Sequence, residues 1–324
     1  MKKLYFLIIL SLVFNVIKLE ASIFANPLSF KLKPHSKATP IPKCGVAKVD
    51  LPIKQVQNLL IIQATIEGQT GNFILDTGAP YLVLNKTYFR NAIQNRSMVS
   101  AGVTGVGAEI ESIIVKSFML GEIQYKDIDA DVVNLSAIEN SKGIKILGLL
   151  GTNLFTSFEI SIDARLGMFS IYKLDKAGTP LFRDSIKVDS ATFTLPIIVK
   201  NDIVFLETKI NGKVIMMCFD SAAEVNMLNT GVSKKVIEYF VVSKRASLVG
   251  STGAKSQVIS GVIKETIIGG VKFNVMPTYL ASLTNLQMVY DNYFDGMLGF
   301  PFLFKGSVKI NFVKNELKMY QYVN

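Results

Sequence analysis

Histidine is almost absent from this sequence: the single one, His35, lies among lysines and prolines ahead of the first segment with folded character. Without a placed histidine, a Ser-His-Asp hydrolase triad, a His-rich zinc site and the helical His-Glu-x-x-His protease motif have nothing to work with. Cysteine is nearly as scarce. Cys44 and Cys218 alone cannot build a Cys-rich metal site or a disulfide framework. Phosphate-binding glycine motifs are missing too: Gly102-Val103-Thr104-Gly105-Val106-Gly107 has neither the Lys-Ser/Thr ending of a P-loop nor the Rossmann spacing, and reads as a turn. No compact segment interleaves aromatic with basic residues, so nucleic acid is not an expected partner. Carboxylates, hydroxyls and lysines remain to carry any chemistry, with no cofactor and no metal implied.

The 324 residues are 49% hydrophobic and 19% charged, which is the composition of a globular protein long enough for two domains or one large one. The net charge is +10, much of it carried near the N-terminus by Lys2, Lys3, Lys18, Lys31, Lys33, Lys37, Lys43, Lys48 and Lys54. Residues 1–25 read as an export signal, because Lys2 and Lys3 precede the apolar run Leu4 to Ile17 and small residues follow at Ala21, Ser22 and Ala25. Left uncleaved, the same segment would anchor the chain in a membrane; on either reading the body is exported, periplasmic or secreted. Residues 26–48, with Pro27, Pro34, Pro40 and Pro42 among lysines, show no period and read as a tether or pro-segment. An exported compartment permits a Cys44–Cys218 disulfide, but Cys218 sits in the apolar run Val214 to Phe219 and is read as a small buried hydrophobe. Membrane-surface or polyanion binding by the lysine-rich leader is a rival function, against which such a run in a Pro-rich tether is ordinarily solvated chain.

The remainder repeats itself. At an offset of 144, Leu51-Pro52-Ile53 recurs as Leu195-Pro196-Ile197, Ile66-Glu67-Gly68 as Ile210-Asn211-Gly212, and Phe73-Ile74-Leu75-Asp76-Thr77 as Met217-Cys218-Phe219-Asp220-Ser221. After a four-residue insertion the offset becomes 148. Gly102-Val103-Thr104-Gly105 then matches Gly250-Ser251-Thr252-Gly253, Gly148-Leu149-Leu150-Gly151 matches Gly296-Met297-Leu298-Gly299, and Ile160 to Asp163 matches Val308 to Asn311. Each half is a chain of short Val-, Ile-, Phe- and Thr-rich strands, with tight hairpins expected at Glu67-Gly68 and Asn211-Gly212. Brief helices are expected near Lys86 to Gln94, Thr152 to Phe158 and Ser233 to Phe240. The class is mostly β: two lobes of one plan, 49–178 and 179–324, packed around a pseudo-twofold axis, with the repeated Asp-hydroxyl turns meeting near that axis.

A lone Asp-Thr-Gly is a weak signal, since aspartate commonly accepts backbone N–H groups in turns. Two copies at equivalent positions of a repeat are different, because twofold packing brings Asp76 and Asp220 together, where each opposes ionisation of the other and the pair shares a proton. On these residues the chain resembles the aspartic proteases of the pepsin and retropepsin superfamily. The resemblance rests on Ile74 to Ala79, on Cys218 to Ala223, and on the later triplets Leu149-Leu150-Gly151 and Met297-Leu298-Gly299, and it spans nearly all of residues 50–324. The similarity of the two lobes, and the lack of a pepsin-type flap tyrosine near Gly102 to Ile110, suggest tandem retropepsin-like units in one chain.

The resemblance implies a bilobal double-barrel fold with the active site between the lobes and an endopeptidase activity on extended polypeptides. Asp76 and Asp220 would be catalytic, with Thr77, Gly78, Ser221 and Ala222 as site support. Thr104, Gly105, Thr252 and Gly253 would belong to substrate-covering flaps. The hydroxyls of Thr77 and Ser221 would bond the backbone of the opposite turn, and Gly78 would let a backbone N–H approach Asp76. Both halves of the site lie in one chain, so a monomer suffices. One departure matters: the family has Gly where this chain has Ala222, and the alternative to an active enzyme is a catalytically silent peptide-binding cleft. Ala79 and Ala223 also lack a hydroxyl that in many pepsins bonds the ionised aspartate, so the pH optimum is expected to be less acidic than pepsin's. Glu224 is read as an exposed turn carboxylate. Asn85-Lys86-Thr87, Asn95-Arg96-Ser97 and Asn134-Leu135-Ser136 match the glycosylation acceptor pattern.

Overall fold

Local strand pairing follows from the hairpin turns. Glu67 and Gly68, like Asn211 and Gly212, all have positive φ, the left-handed pair of a two-residue turn whose twist suits the flanking strands. The computed structural model describes residues 6–7, 38–90, 97–99, 109–182, 191–249, 255–289 and 292–322. The principal elements of the first lobe are β1 (Lys48–Pro52), β2 (Leu59–Ile66), β3 (Gln69–Leu75), β4 (Leu82–Asn85), α1 (Lys86–Phe89), β5 (Glu109–Leu120), β6 (Ile123–Val133), α2 (Ser136–Lys142), β7 (Gly148–Leu150), a 3-10 turn at Thr152–Phe155, β8 (Phe158–Asp163) and β9 (Met168–Lys173). The second lobe has β10 (Phe193–Pro196), β11 (Ile203–Ile210), β12 (Lys213–Phe219), β13 (Asn226–Asn229), α3 (Lys234–Ile237), β14 (Phe240–Val249), β15 (Lys255–Ile268), β16 (Val271–Ala281), α4 (Thr284–Val289), β17 (Gly296–Leu298), α5 (Phe300–Leu303), β18 (Gly306–Asn311) and β19 (Glu316–Gln321).

Six strands of the first lobe close into a ring in the order β5-β6-β4-β7-β3-β2 and back to β5. Their repeat partners close a second ring in the same order, β15-β16-β13-β17-β12-β11. Closure leaves no open edge in either ring. The barrel strands explain runs of consecutive apolar residues: Leu60 and Ile62 of β2 point into the main core, while Leu59 and Ile61 on the opposite face join a second buried cluster with Ile138 of α2. The second lobe repeats this, with Ile203 and Phe205 of β11 packed with Leu286 of α4.

A third sheet joins the lobes, in the order β10-β19-β18-β8-β9-β1, three strands from each half. At its centre β8 and β18 run antiparallel, and Ser161 pairs with Lys309. These two are repeat counterparts at the offset of 148, so the pseudo-twofold axis passes between them. The fold is mostly β and bilobal, as the repeat requires.

Several local expectations change. The anticipated helices near Lys86, Thr152 and Ser233 are single turns, and α2 and α4, which carry no strong helical pattern, are additional. Asn85 is no glycosylation acceptor: it is fully buried, accepts from Thr87 N and Leu135 N, and donates to Ile146 O. Both cysteines are free, Cys218 being completely buried. The expected export signal, apart from Phe6 and Leu7, and the flap residues Thr104, Gly105, Thr252 and Gly253 lie outside the described residues.

Candidate active site

The two aspartates sit where the chain leaves β3 and β12. In each lobe a short strand is inserted between the strands that flank the aspartate turn: β7 pairs parallel with β3 and antiparallel with β4, and β17 does the same with β12 and β13. Asp76 N donates to Leu150 O at 3.1 Å and Asp220 N to Leu298 O at 2.9 Å. The two apolar-apolar-Gly triplets thus hold the aspartate turns from below. Their glycines are required by close approach, since a Cβ on Gly151 would lie 2.0 Å from Tyr81 O and one on Gly299 2.3 Å from Ala223 O.

Reciprocal hydrogen bonds lock the turns together across the axis. Thr77 N donates to Ser221 Oγ (3.0 Å) and Ser221 N to Thr77 Oγ1 (2.9 Å). Each hydroxyl then donates to a carbonyl of the other lobe, Thr77 Oγ1 to Phe219 O at 3.0 Å and Ser221 Oγ to Leu75 O at 2.8 Å. Both hydroxyls act as donor and acceptor, so four buried backbone groups are satisfied by two side chains. Thr152 Oγ1 adds a bond to Thr77 O from below.

The carboxyls are fully buried. Asp76 Oδ1 accepts from Gly78 N at 2.9 Å; Asp220 Oδ1 accepts from Ala222 N at 2.8 Å and Ala223 N at 3.1 Å. The remaining oxygen of each, Oδ2, is buried and bonded by no backbone N–H, and a hydrogen bond between the two carboxyls raises Asp76 and lowers Asp220. Burial, and after it the charge of Asp220, hold Asp76 well above the usual carboxylate range, against the N–H groups of Gly78 and Ala79. Burial likewise raises Asp220, against the N–H groups of Ala222 and Ala223. The two titrate as one coupled dyad that retains a proton into the neutral range. Burial also pushes the neighbouring Cys218 thiol well up, which leaves it inert.

Ala222 does not disturb this arrangement. Its N–H makes the same bond as that of Gly78, and the residue joins the apolar cluster of the opposite lobe with Leu59, Ile74 and Leu149. Gly78, in contrast, has no room: a Cβ there would lie 2.5 Å from both Cγ and Oδ2 of Asp220. The backbone N–H of Gly78 does approach Asp76 as expected, and the missing Cβ in addition clears the opposite aspartate.

Glu224 corrects the sequence reading. It is 1% exposed, and its Oε1 lies 2.6 Å from Nζ of Lys142, which is equally buried at the end of α2 in the other lobe. Lys142, which meets this carboxylate, Gln57, which accepts from Lys142, and Asn58, which donates to the Glu224 carbonyl, were not singled out by sequence. No motif announces them, because they are separated from Glu224 by 82 residues or more.

Residues 62–154, which contain Asp76, match the sequence model of a family described as aspartyl protease. Among solved structures, the chain is similar to the crystal structure of an aspartic proteinase from Irpex lacteus. The TM-score is 0.52 at 10% identity, over 85% of this chain and 97% of that one, a likeness of fold. No curated protein sequence matches the chain. The sequence of the first lobe thus matches the aspartyl protease family over residues 62–154, and the chain as a whole shares the fold of an aspartic proteinase.

Proposed function

We propose that this chain is an active aspartic endopeptidase that hydrolyses peptide bonds in extended polypeptides. The observation that carries the reading is the pair of buried carboxyls that hydrogen-bond each other, with both Oδ2 atoms clear of backbone donors, on turns fixed by reciprocal bonds between the lobes. A water bound between them is activated by the ionised carboxylate as general base, and attacks the scissile carbonyl. The protonated partner hydrogen-bonds that carbonyl oxygen and stabilises the tetrahedral intermediate. The proton taken from water then passes to the leaving amine, the C–N bond breaks, and the dyad returns to one proton. No covalent intermediate forms, which suits a site whose nearest thiol is inert.

Cleavage of a diverse peptide library by the chain tests this across about pH 3 to 7, the range in which a shared-proton dyad is competent. The expected result is cleavage between apolar residues that is lost in Asp76→Asn and in Asp220→Asn and is blocked by a statine-containing peptide. Binding of the statine peptide without cleavage at any pH would instead establish a silent binding cleft.

A further inference from the structure

The pseudo-twofold symmetry of the site is broken at one position. Four residues after its aspartate the first lobe has Pro80, and the second has Glu224. The first lobe closes on Glu224 from two elements. From α2, Lys142 Nζ meets Glu224 Oε1 at 2.6 Å and also donates to Gln57 Oε1. From the turn that precedes β2, Asn58 Nδ2 donates to the Glu224 carbonyl at 3.1 Å. Pro80 offers no group with which the second lobe could answer in kind.

Burial separates this ion pair from its neighbours. Both side chains are 1% exposed, whereas Lys48–Asp50, Lys86–Glu111, Lys116–Asp127, Lys272–Glu265 and Lys318–Glu316 have side chains at least 19% exposed and each lies within one lobe. Withdrawing two ions from water costs several kcal/mol per ion, recovered only where geometry is good and further hydrogen bonds complete the shell. Gln57 supplies such a bond, and the C-terminal end of α2 favours a cation.

Position gives the pair its leverage. The Thr77–Ser221 lattice lies on the pseudo-twofold axis, and contacts on an axis resist rotation about it poorly. The Lys142–Glu224 pair lies off the axis, on the loop that carries Asp220. We propose that Lys142 and Glu224 are positioning residues, a one-sided ionic clamp between the lobes that fixes the second aspartate turn and thereby sets the spacing of Asp76 and Asp220. The proposal rests on the endopeptidase reading for its kinetic consequence, but not for its structural one.

The test uses the full chain with Lys142→Met, Glu224→Gln and the swapped pair Lys142→Glu/Glu224→Lys, each measured well below its melting temperature. Two readouts are taken: kcat and KM on a peptide substrate, and the titration of the aspartate carboxyls followed by 13C NMR. Each single variant should lose about 10- to 100-fold in kcat with KM little changed, the scale of a misplacement of roughly 1 Å. The two titration steps of the dyad should draw closer together, because coupling weakens as the carboxyls separate. The swapped pair keeps the combined side-chain length, and the Gln57 amide can turn its NH2 toward a carboxylate at 142, so both readouts should largely recover. Folded single variants with wild-type kcat and wild-type titration would overturn the proposal, as would a folded swap that recovers neither. If the single variants do not fold, the swap decides alone. If the wild type cleaves nothing, the endopeptidase reading fails and the titration decides the clamp: converging steps support it and unchanged steps refute it.

Discussion

Gly78→Ala should damage the site far more than the methyl already present at Ala222 does. The added Cβ would stand 2.5 Å from Cγ and Oδ2 of Asp220 and 2.9 Å from Oδ1, where ordinary contact begins at 3.4 Å. Something must therefore move by about 1 Å, and Asp220 has little freedom: it is fully buried and its Oδ1 is held by Ala222 N and Ala223 N. A shift of about 1 Å costs on the order of 100-fold in rate, and overpacking of this kind costs about 1–3 kcal/mol of stability. The companion change Ala222→Gly removes one methyl from an apolar cluster and loosens the unfolded chain, for a total near 1–2 kcal/mol, and should leave kcat close to wild type. Steady-state kinetics on a peptide substrate, with calorimetric melting of both variants, provides the comparison. A Gly78→Ala enzyme as active as wild type, or an Ala222→Gly enzyme as impaired as Gly78→Ala, would refute the steric argument.

Other outcomes can be checked more quickly. Because the folded-state pKa values of Asp76 and Asp220 are raised by burial, the fold favours their protonated forms, so the dyad's contribution to stability should be full below the ordinary carboxylate value of 3.8 and fall away as pH rises toward neutrality. Asp220→Asn should flatten that fall, and melting curves in which the variant and wild type share one pH slope would contradict it. The same direction of shift places the activity maximum in the mildly acidic range, and a profile peaking below about pH 3 would contradict that placement. Thr77→Val leaves Phe219 O and Ser221 N without partners and should cost about 2–5 kcal/mol, with Thr77→Ser close to wild type in melting temperature; equal stability of both variants would remove the lattice from the account. Under native conditions a thiol reagent should modify Cys44 and spare Cys218, with both reacting after denaturation; a native Cys44–Cys218 disulfide found by mass spectrometry would be the contrary result.

Much of the architecture is legible in the repeat, because symmetry is a property of sequence that survives folding. The offsets of 144 and 148 pair Leu59 with Ile203, Ile74 with Cys218, Ile138 with Leu286 and Leu149 with Met297, and these are corresponding members of two separate apolar clusters. The Thr77–Ser221 lattice is likewise anticipated, since each hydroxyl sits one residue beyond an aspartate that must lie near the axis. What escapes is the set of features that break the symmetry or depend on distant contacts. Ser136–Lys142 is a helix because Ile138 is covered by Leu59 and Ile61 from another element, and a seven-residue segment shows too few turns for a clear period. Glu224 looks like any turn carboxylate until Lys142 of the other lobe is placed against it. The clearance role of Gly78 is hidden for the same reason, as the atom it must avoid belongs to a residue more than a hundred positions away.

The six-stranded sheet between the lobes has a consequence for biosynthesis. Its order, β10-β19-β18-β8-β9-β1, places β8 at the middle, hydrogen-bonded to β9 on one side and to β18, a strand made only after those of the second ring, on the other. During synthesis the first half of the chain therefore leaves the ribosome with one side of β8 unpaired, and it waits for almost the whole second half before that edge is covered. Such an edge is a template for other chains, and pairings of this sequence separation form slowly. A nascent first lobe thus has reason to engage a chaperone, or a second nascent first lobe, and the fused chain supplies its own remedy by delivering the missing strand in cis.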